Sequence, residues 1–114
     1  MKRVFFFSSS FLPLGVFLLL IGLAAPGDAT AGKTVFTNRC QMCHGADGQG
    51  NPAMAKILKV EFPKMDSEYI QKKKDEEIKE IVTKGKGKMP PVQGISDSDI
   101  ENVITYLRTF DDKK

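Results

Sequence analysis

The chain has 114 residues, with 17 Lys and Arg against 14 Asp and Glu, and a formal net charge of +3 at pH 7. This length predicts a single domain. So small a basic excess excludes the strong positive footprint of a nucleic-acid-binding protein. The sequence also has no long polar, repeated or low-complexity segment, which excludes a largely disordered chain.

The beginning of the chain is typical of a secretory signal. Lys2 and Arg3 make the start positive, an apolar run covers 11–25, and Ala29-Thr30-Ala31 places small residues at alternate positions. A basic start, an apolar centre and an A-x-A end are the three parts of a signal peptide. The pattern therefore predicts export from the cytoplasm.

We predict that the signal covers 1–31, that cleavage follows Ala31, and that one domain covers 32–114. The mature domain would then lie in the periplasm or an equivalent compartment. An uncleaved anchor facing the periplasm is the alternative, because the stretch back to Val4 is long enough to span a bilayer.

Several short helical patterns follow, joined by glycine-rich loops. In the first, over 33–43, four residues share one helical face before Gly45 ends it: Phe36, Cys40, Cys43 and His44. Two short helices are predicted next, one over 53–58 and one capped by Asp66. A longer helix is capped by Asp75 and directs Ile78, Ile81 and Val82 inward. The last helix is capped by Ser96, and its inward residues are Ile100, Val103, Ile104 and Leu107. No segment alternates with period two. The predicted fold class is all-α, a compact bundle of about four to five short helices.

Both cysteines and the single histidine of the chain lie within Cys40-Gln41-Met42-Cys43-His44. Cys-x-x-Cys-His is the attachment signature of c-type haem. The two thiols can each bond one haem vinyl group, and a neutral imidazole can bind the iron. A domain this small also needs a stabiliser beyond its own core, which a cofactor supplies. The motif predicts one covalent haem c, held by thioethers at Cys40 and Cys43, with His44 as the proximal iron ligand.

Three other uses of the motif fit the sequence less well. A thioredoxin-like redox pair needs a βαβ setting, and the chain shows none. A zinc site needs about four ligands, and no further Cys or His exists. A disulfide between Cys40 and Cys43 would close almost no loop and would leave His44 unexplained.

Residues 32–110 resemble a bacterial class I cytochrome c. The resemblance rests on four features: Gly32 and Phe36 before Cys40, the run CQMCHGADGQG at 40–50, the run GKGKMP at 85–90, and the segment 96–110 with Tyr106-Leu107. It implies a bundle of helices around one haem, with one haem edge near the surface. It also implies that the last helix crosses the first near Gly32 and Phe36.

Met89 is the predicted sixth ligand of the iron. Gly85 and Gly87 let the preceding backbone approach a ring closely, and Pro90 and Pro91 restrict the chain on the other side. Enough chain separates Met89 from the motif to pass around a haem, and its loop resembles the family's distal-ligand loop. Of the five methionines, the other four have less suitable settings: Met1, Met42, Met54 and Met65.

Two further roles come only from the resemblance. Pro52 stands where the family often has a proline whose carbonyl accepts the proton of the proximal histidine. The chain has no tryptophan, which many relatives use against the haem propionates. Tyr69 is a candidate for that role, although an ordinary core tyrosine is the favoured interpretation.

The predicted function is that of a periplasmic one-electron carrier between respiratory or other redox partners, not an enzyme. A peroxidase needs an open iron site and acid–base residues above it, and the only histidine is already a proximal ligand. A gas sensor or carrier needs a displaceable sixth ligand. Ligation by histidine and methionine raises the potential and favours the oxidising end of a respiratory chain.

Lysines before the predicted distal ligand suggest how partners are recognised. Lys84, Lys86 and Lys88 are expected to lie near the haem edge and to attract redox proteins that carry an acidic docking patch. Two alternatives stay open: these lysines only keep the loop soluble, or the lysine run at 72–74 is the attractive face. We expect a monomer that binds no nucleic acid and contacts membranes only through partners or an uncleaved amino terminus.

Overall fold

The computed structural model describes residues 27–113, so positions 1–26 of the predicted signal lie outside the described residues. Six α-helices form, and a 3₁₀ turn follows: α1 Ala29–Arg39, α2 Gln41–His44, α3 Pro52–Leu58, α4 Glu68–Gln71, α5 Asp75–Lys84, α6 Asp97–Arg108 and the turn Asp111–Lys113. Between residues 27 and 113 no strand forms, apart from an isolated bridge of Lys86 with Met89. The all-α prediction is confirmed, with more helices than expected.

None of the helices in this part of the chain is both long and apolar enough to cross a membrane.

The first predicted helix forms as two elements. α1 starts earlier than predicted, at Ala29, and ends at Arg39. Cys40 follows with φ −123° and ψ −33°, outside helical geometry, and α2 begins after it. Gly45 ends α2 with a φ of 77°, a conformation that glycine adopts without strain. The break lies at the first cysteine of the motif, so the Cys40 thiol comes from the junction of α1 and α2 and the Cys43 thiol comes from α2.

α1 and α6 cross at a glycine. A Cβ on Gly32 would lie 1.9 Å from the carbonyl oxygen of Asn102, so only glycine permits this approach. Beside the crossing, the rings of Phe36 and Tyr106 meet edge to face with centroids 5.4 Å apart, and Phe110 lies 5.9 Å from Phe36. Phe36 is only 1% exposed. The predicted crossing near Gly32 and Phe36 is present.

The caps and apolar faces of α5 and α6 follow the sequence pattern with small shifts. Ser96 caps α6 as predicted. Asp75 is the first residue of α5 and not its cap, because Lys74 takes the cap position and donates its backbone N–H to the Glu77 carboxylate at 2.7 Å. Asp75 pairs with Arg108 of α6 at 2.7 Å. The predicted inward residues are buried, apart from the half-buried Ile81: Ile78, Val82, Ile100, Val103, Ile104 and Leu107.

The segment just before α1 belongs to the folded domain. The Asp28 carboxylate accepts the N–H groups of Thr30 at 2.8 Å and Ala31 at 3.3 Å, which caps the helix. The backbone N–H of Asp28 donates to Oδ1 of Asn102 at 2.8 Å, which ties the segment to α6. The predicted cleavage after Ala31 therefore falls inside the first turn of α1, between the cap and the crossing glycine.

Asp28→Ala in the purified protein is expected to lower the free energy of unfolding by about 1 kcal/mol, because the helix cap is lost. Asp28→Asn keeps a capping oxygen and is the control, with a much smaller expected cost. Denaturant unfolding and the intact mass of the same samples check this. If processing removes residue 28, neither substitution changes the mass or the stability of the mature protein.

Candidate cofactor-binding site

The predicted motif residues line one cavity of about 860 Å³. Cys40, Cys43 and His44 contribute to it from the end of α1 and from α2, and Met89 contributes from the turn after α5. Apolar side chains of α5 and α6 line it as well: Ile78, Ile81, Val82, Val103 and Leu107. The volume lies within the range of roughly 300–1,000 Å³ that is typical of ligand and cofactor sites.

The two cysteines are half-buried free thiols. Burial raises the pKa of the Cys40 thiol to about 11, despite the nearby charge of Arg39. A catalytic or redox-active cysteine needs the opposite, a lowered pKa that yields thiolate at neutral pH. The raised pKa of Cys40 therefore does not favour a thioredoxin-like reaction at this site.

His44 is held as a neutral imidazole. Burial lowers its pKa, and the neutral ring is the form that binds a metal. The ring of Phe62 meets it edge to face, with centroids 5.6 Å apart. One ring nitrogen, Nδ1, is buried without a hydrogen-bond partner. The imidazole is thus positioned by packing.

The loop after the motif folds back on it. Gly50 N–H donates to the His44 carbonyl at 2.7 Å, and Asn51 N–H donates to the Cys43 carbonyl at 2.8 Å. The side-chain amide of Asn51 also donates to the Met42 carbonyl at 2.9 Å. These bonds fix the backbone of α2 at the point where both thiols and the imidazole project.

Pro52 does not have the geometry that the resemblance implies. Nδ1 of His44 accepts and donates no hydrogen bond, so the Pro52 carbonyl does not take its proton in this arrangement. Pro52 is instead the first residue of α3, a position that suits proline because no N–H is needed there. Asn51 caps that helix through the N–H groups of Ala53 and Met54.

Met89 stands at the end of a closed turn. Lys86 N–H donates to the Met89 carbonyl and Met89 N–H donates to the Lys86 carbonyl, both at 2.9 Å. Gly87 within the turn has a φ of 56°, and a Cβ on Gly85 would lie 2.6 Å from the Met89 carbonyl oxygen. Positive φ at both glycines and the close Met89 carbonyl at Gly85 favour glycine here, while the predicted close approach of this backbone to a ring stays a prediction.

Met65 is the other methionine that lines the cavity, and it is 5% exposed. It packs in the core, where a Cβ on Gly48 would meet both Met65 and Phe110 at 2.9 Å. Met54 does not line the cavity, and Met42 is 74% exposed.

The three lysines of the predicted docking face have three different partners. Lys84 pairs with Glu80 on α5 at 3.1 Å and does not line the cavity. Lys86 donates to the Tyr69 hydroxyl at 3.1 Å. Lys88 donates to the Leu58 carbonyl at 2.6 Å. They do not form a single ring of free charges.

Sequence reasoning missed the segment between α3 and α4. Val60, Phe62 and Pro63 lie in a segment with no helix or strand and line the cavity, and the ring of Phe62 contacts His44. The only signal was an apolar stretch without helical period between two predicted helices. Tyr69 was also misjudged, because it is 56% exposed and not a core tyrosine.

Two thiols, one neutral imidazole and a largely apolar lining in one cavity fit a covalently attached haem. The chain has a modest core of its own, and this cavity lies within that core against Phe36 and Leu107. A helical bundle with such a site is a c-type cytochrome.

The family model described as "Cytochrome C oxidase, cbb3-type, subunit III" matches residues 27–107, and the chain belongs to this family of c-type cytochrome domains. It is 38% identical to cytochrome c6 of Rippkaea orientalis, over 79% of this chain and 78% of that protein. It is 27% identical to cytochrome c-554(547) of Halothiobacillus neapolitanus, over 74% of this chain and 98% of that one. The "Cbb3-type cytochrome c oxidase subunit CcoP" of Rubrivivax gelatinosus is 31% identical, but the match spans only 26% of its length.

A solved structure, "KustC0563 c-type cytochrome", has the same fold, with a TM-score of 0.59 and 24% identity over 69% of this chain and 95% of that one. The protein is thus a small class I c-type cytochrome with one covalently bound haem c, as the resemblance implied.

Haem is expected to stay with the wild-type polypeptide through denaturation and acid–organic extraction, because thioethers survive both. Cys40→Ala should leave one link and a less stable fold, and removal of Cys43 as well should release all haem and leave an unstable apoprotein. Met42→Ala, an exposed position in the same motif, is the control. Haem absorbance in the protein and solvent fractions gives the result, and free extraction from the wild type would contradict covalent attachment.

Proposed function

We propose that this c-type haem electron carrier is a periplasmic protein whose iron is bound by His44 and Met89. The observation that supports it is that Met89 lines the same cavity as His44 and is held by a closed turn. The haem supplies one-electron exchange at its iron. A weak thioether ligand benefits from a preformed turn, since less conformational freedom is lost when it binds.

The surrounding residues set the potential. A neutral histidine with a methionine is the ligand pair that raises the potential of a c-type haem. The apolar lining acts in the same direction, because burial disfavours the more positively charged ferric state. We expect a carrier at the oxidising end of an electron-transport chain.

The cavity favours electron transfer over catalysis at the iron. Peroxidase chemistry needs a second acid–base group above an open site, most often a histidine. The chain has one histidine, and His44 is assigned to the iron. Binding of Met89 would also close the sixth position that an enzyme or a gas sensor needs.

Met89→Ala is expected to abolish the weak near-infrared band of sulfur–iron ligation in the ferric protein, to lower the potential, and to let carbon monoxide bind the ferrous iron. Met65→Leu changes the other methionine that lines the cavity and is the matched control, with the band retained. Visible and near-infrared spectra of each variant, recorded with and without carbon monoxide, measure these effects. A band that survives Met89→Ala, or that is lost in Met65→Leu, would contradict the assignment.

The export proposal rests on the charged and apolar pattern of the first residues, and contacts of Asp28 bear on where we propose its boundary. Because Asp28 caps α1 and bonds to Asn102, we place the processing site before Gly27 and not after Ala31. A Cβ on Gly27 would lie 2.5 Å from the Glu101 carbonyl oxygen, so this residue too is packed on α6. A retained membrane anchor is equally compatible with this boundary.

Redox partners are proposed to dock beside α3. Met42 and Ile57 are large apolar side chains that are 74% and 69% exposed. They adjoin Cys43 and Leu58, which line the cavity. Lys56 and Lys59 are exposed nearby, and Lys88, in the turn that ends at Met89, donates to the Leu58 carbonyl. A small apolar centre with a basic rim fits a redox protein whose contact surface is rimmed by carboxylates. The likeness to CcoP makes a terminal oxidase one candidate for that partner.

Lys88→Glu is expected to slow electron exchange with hexacyanoferrate, a small anion, by several-fold at low ionic strength, because the local field changes sign. The difference should shrink as salt screens the charges. Lys33→Glu makes the same charge change at an exposed site of α1 outside the cavity lining and is the control. Equal slowing in both variants would contradict a steering role for the α3 side.

A further inference from the structure

Three polar side chains form a cluster where the cavity meets solvent: Tyr69, Lys73 and Lys86. Lys86 donates to the Tyr69 hydroxyl at 3.1 Å. The Lys73 ammonium lies 4.1 Å from the centroid of the Tyr69 ring, and the Lys86 ammonium lies 5.7 Å from it. All three residues line the cavity. They come from α4, from the chain after it and from the turn before Met89, so only the fold brings them together.

The two ammonium groups of this cluster lack a carboxylate. Within the described part of the chain, the ion pairs of neighbouring lysines are Lys72 with Glu68, Lys79 with Asp97 and Lys84 with Glu80. Neither Lys73 nor Lys86 takes part in one. Their hydrogen bonds and charges lower the pKa of the Tyr69 phenol, the Lys86 hydrogen bond most of all. Two like charges that converge on one phenol repel each other, and an anion bound between them would offset this repulsion.

Two carboxylates beside the cluster are engaged elsewhere, and Glu61, which also lines the cavity, forms no ion pair with Lys73 or Lys86 among the described residues. Glu68 holds Lys72, and Glu77, which shares an outer groove with Tyr69 and Lys73, accepts the backbone N–H of Lys74 at 2.7 Å. The missing anion is therefore not supplied by these side chains.

The cofactor itself carries suitable anions. A haem has two propionate carboxylates at the ring edge opposite its vinyl groups. Because Cys40 and Cys43 would bond the vinyl carbons, protein partners of the carboxylates are expected outside the attachment segment. The cluster lies outside that segment, on α4, the chain after it and the turn before Met89. Its ammonium and phenol groups are strong hydrogen-bond partners for a carboxylate.

We propose that Tyr69, Lys73 and Lys86 bind a haem propionate and thereby hold the haem edge and help to set its potential. Lys73 and Lys86 act as charge partners, and the Tyr69 hydroxyl, which already accepts from Lys86, donates its own proton to a carboxylate oxygen. Neutralising that carboxylate makes the ferric state less favourable, so the cluster raises the potential.

The other polar groups of the lining are less suited. The Lys88 ammonium donates to the Leu58 carbonyl at 2.6 Å. The Ser67 hydroxyl donates to the Lys64 carbonyl at 2.5 Å. Lys64 lines the cavity as a single exposed cation, without a second group converging on it.

The test uses the purified holoprotein with Lys73→Gln, Lys86→Gln and Tyr69→Phe. Lys72→Gln and Lys84→Gln remove the same charge from neighbouring lysines that are paired with glutamates, and are the matched controls. Two quantities are measured at fixed pH and ionic strength: the midpoint potential, and the haem propionate bending band in resonance Raman spectra. Haem-resonant excitation reports the cofactor and not the lysines, so the band responds only if the propionate contact changes.

We expect Lys73→Gln and Lys86→Gln to lower the potential more than either control and to shift the propionate band, and Tyr69→Phe to shift the band without a change of charge. Lys73→Arg keeps the positive charge and should keep the potential near that of the wild type, which separates a charge role from a purely structural one. A propionate band that stays unchanged in all three variants, or potentials equal to those of Lys72→Gln, would overturn the proposal. The band does not depend on the sixth ligand, so this outcome is independent of the Met89 assignment.

Discussion

The close approach of α1 to α6 at Gly32 is the constraint on which the site depends. A side chain larger than hydrogen at Gly32 would collide with the Asn102 carbonyl oxygen, 1.9 Å from an added Cβ. With the two backbones in contact, Phe36 can bury its ring against Tyr106 and Phe110. This crossing orients the end of α1, and so it decides where Cys40 and α2 enter the cavity.

The cavity takes up space that a larger domain would fill with side chains. A chain of this length buries only a modest core, and the buried cluster around Phe36 shares Val82, Val103 and Leu107 with the cavity lining. Covalent haem at this place would complete the core as well as carry the electron. Loss of the cofactor is therefore a stability problem and a functional problem at once.

Two short, hydrogen-bonded pieces of chain hold His44 and Met89, the proposed iron ligands. The loop after α2 bonds back to the Cys43 and His44 carbonyls, and the turn from Lys86 to Met89 is closed by a reciprocal pair of backbone bonds. Backbone bonds of this kind need no particular side chain, but they need glycine at positive φ, as at Gly45 and Gly87. The rigidity of the site thus comes from turns, not from its very short helices.

The sequence alone determined the features that are local. The thiols and imidazole lie within five consecutive residues, and helix caps such as Ser96 act on the next turn. The glycines before Met89 are favoured by the conformation of their own turn. Tertiary structure decided what depends on contacts distant in sequence. Asp28 became part of the domain through Asn102 of α6, and His44 lost the expected partner at Pro52 and gained Phe62. The cluster of Tyr69, Lys73 and Lys86 forms only because α4 and the turn before Met89 pack beside one another. Such convergence leaves no periodic trace in the sequence, since each residue obeys a different local pattern and only packing brings them together.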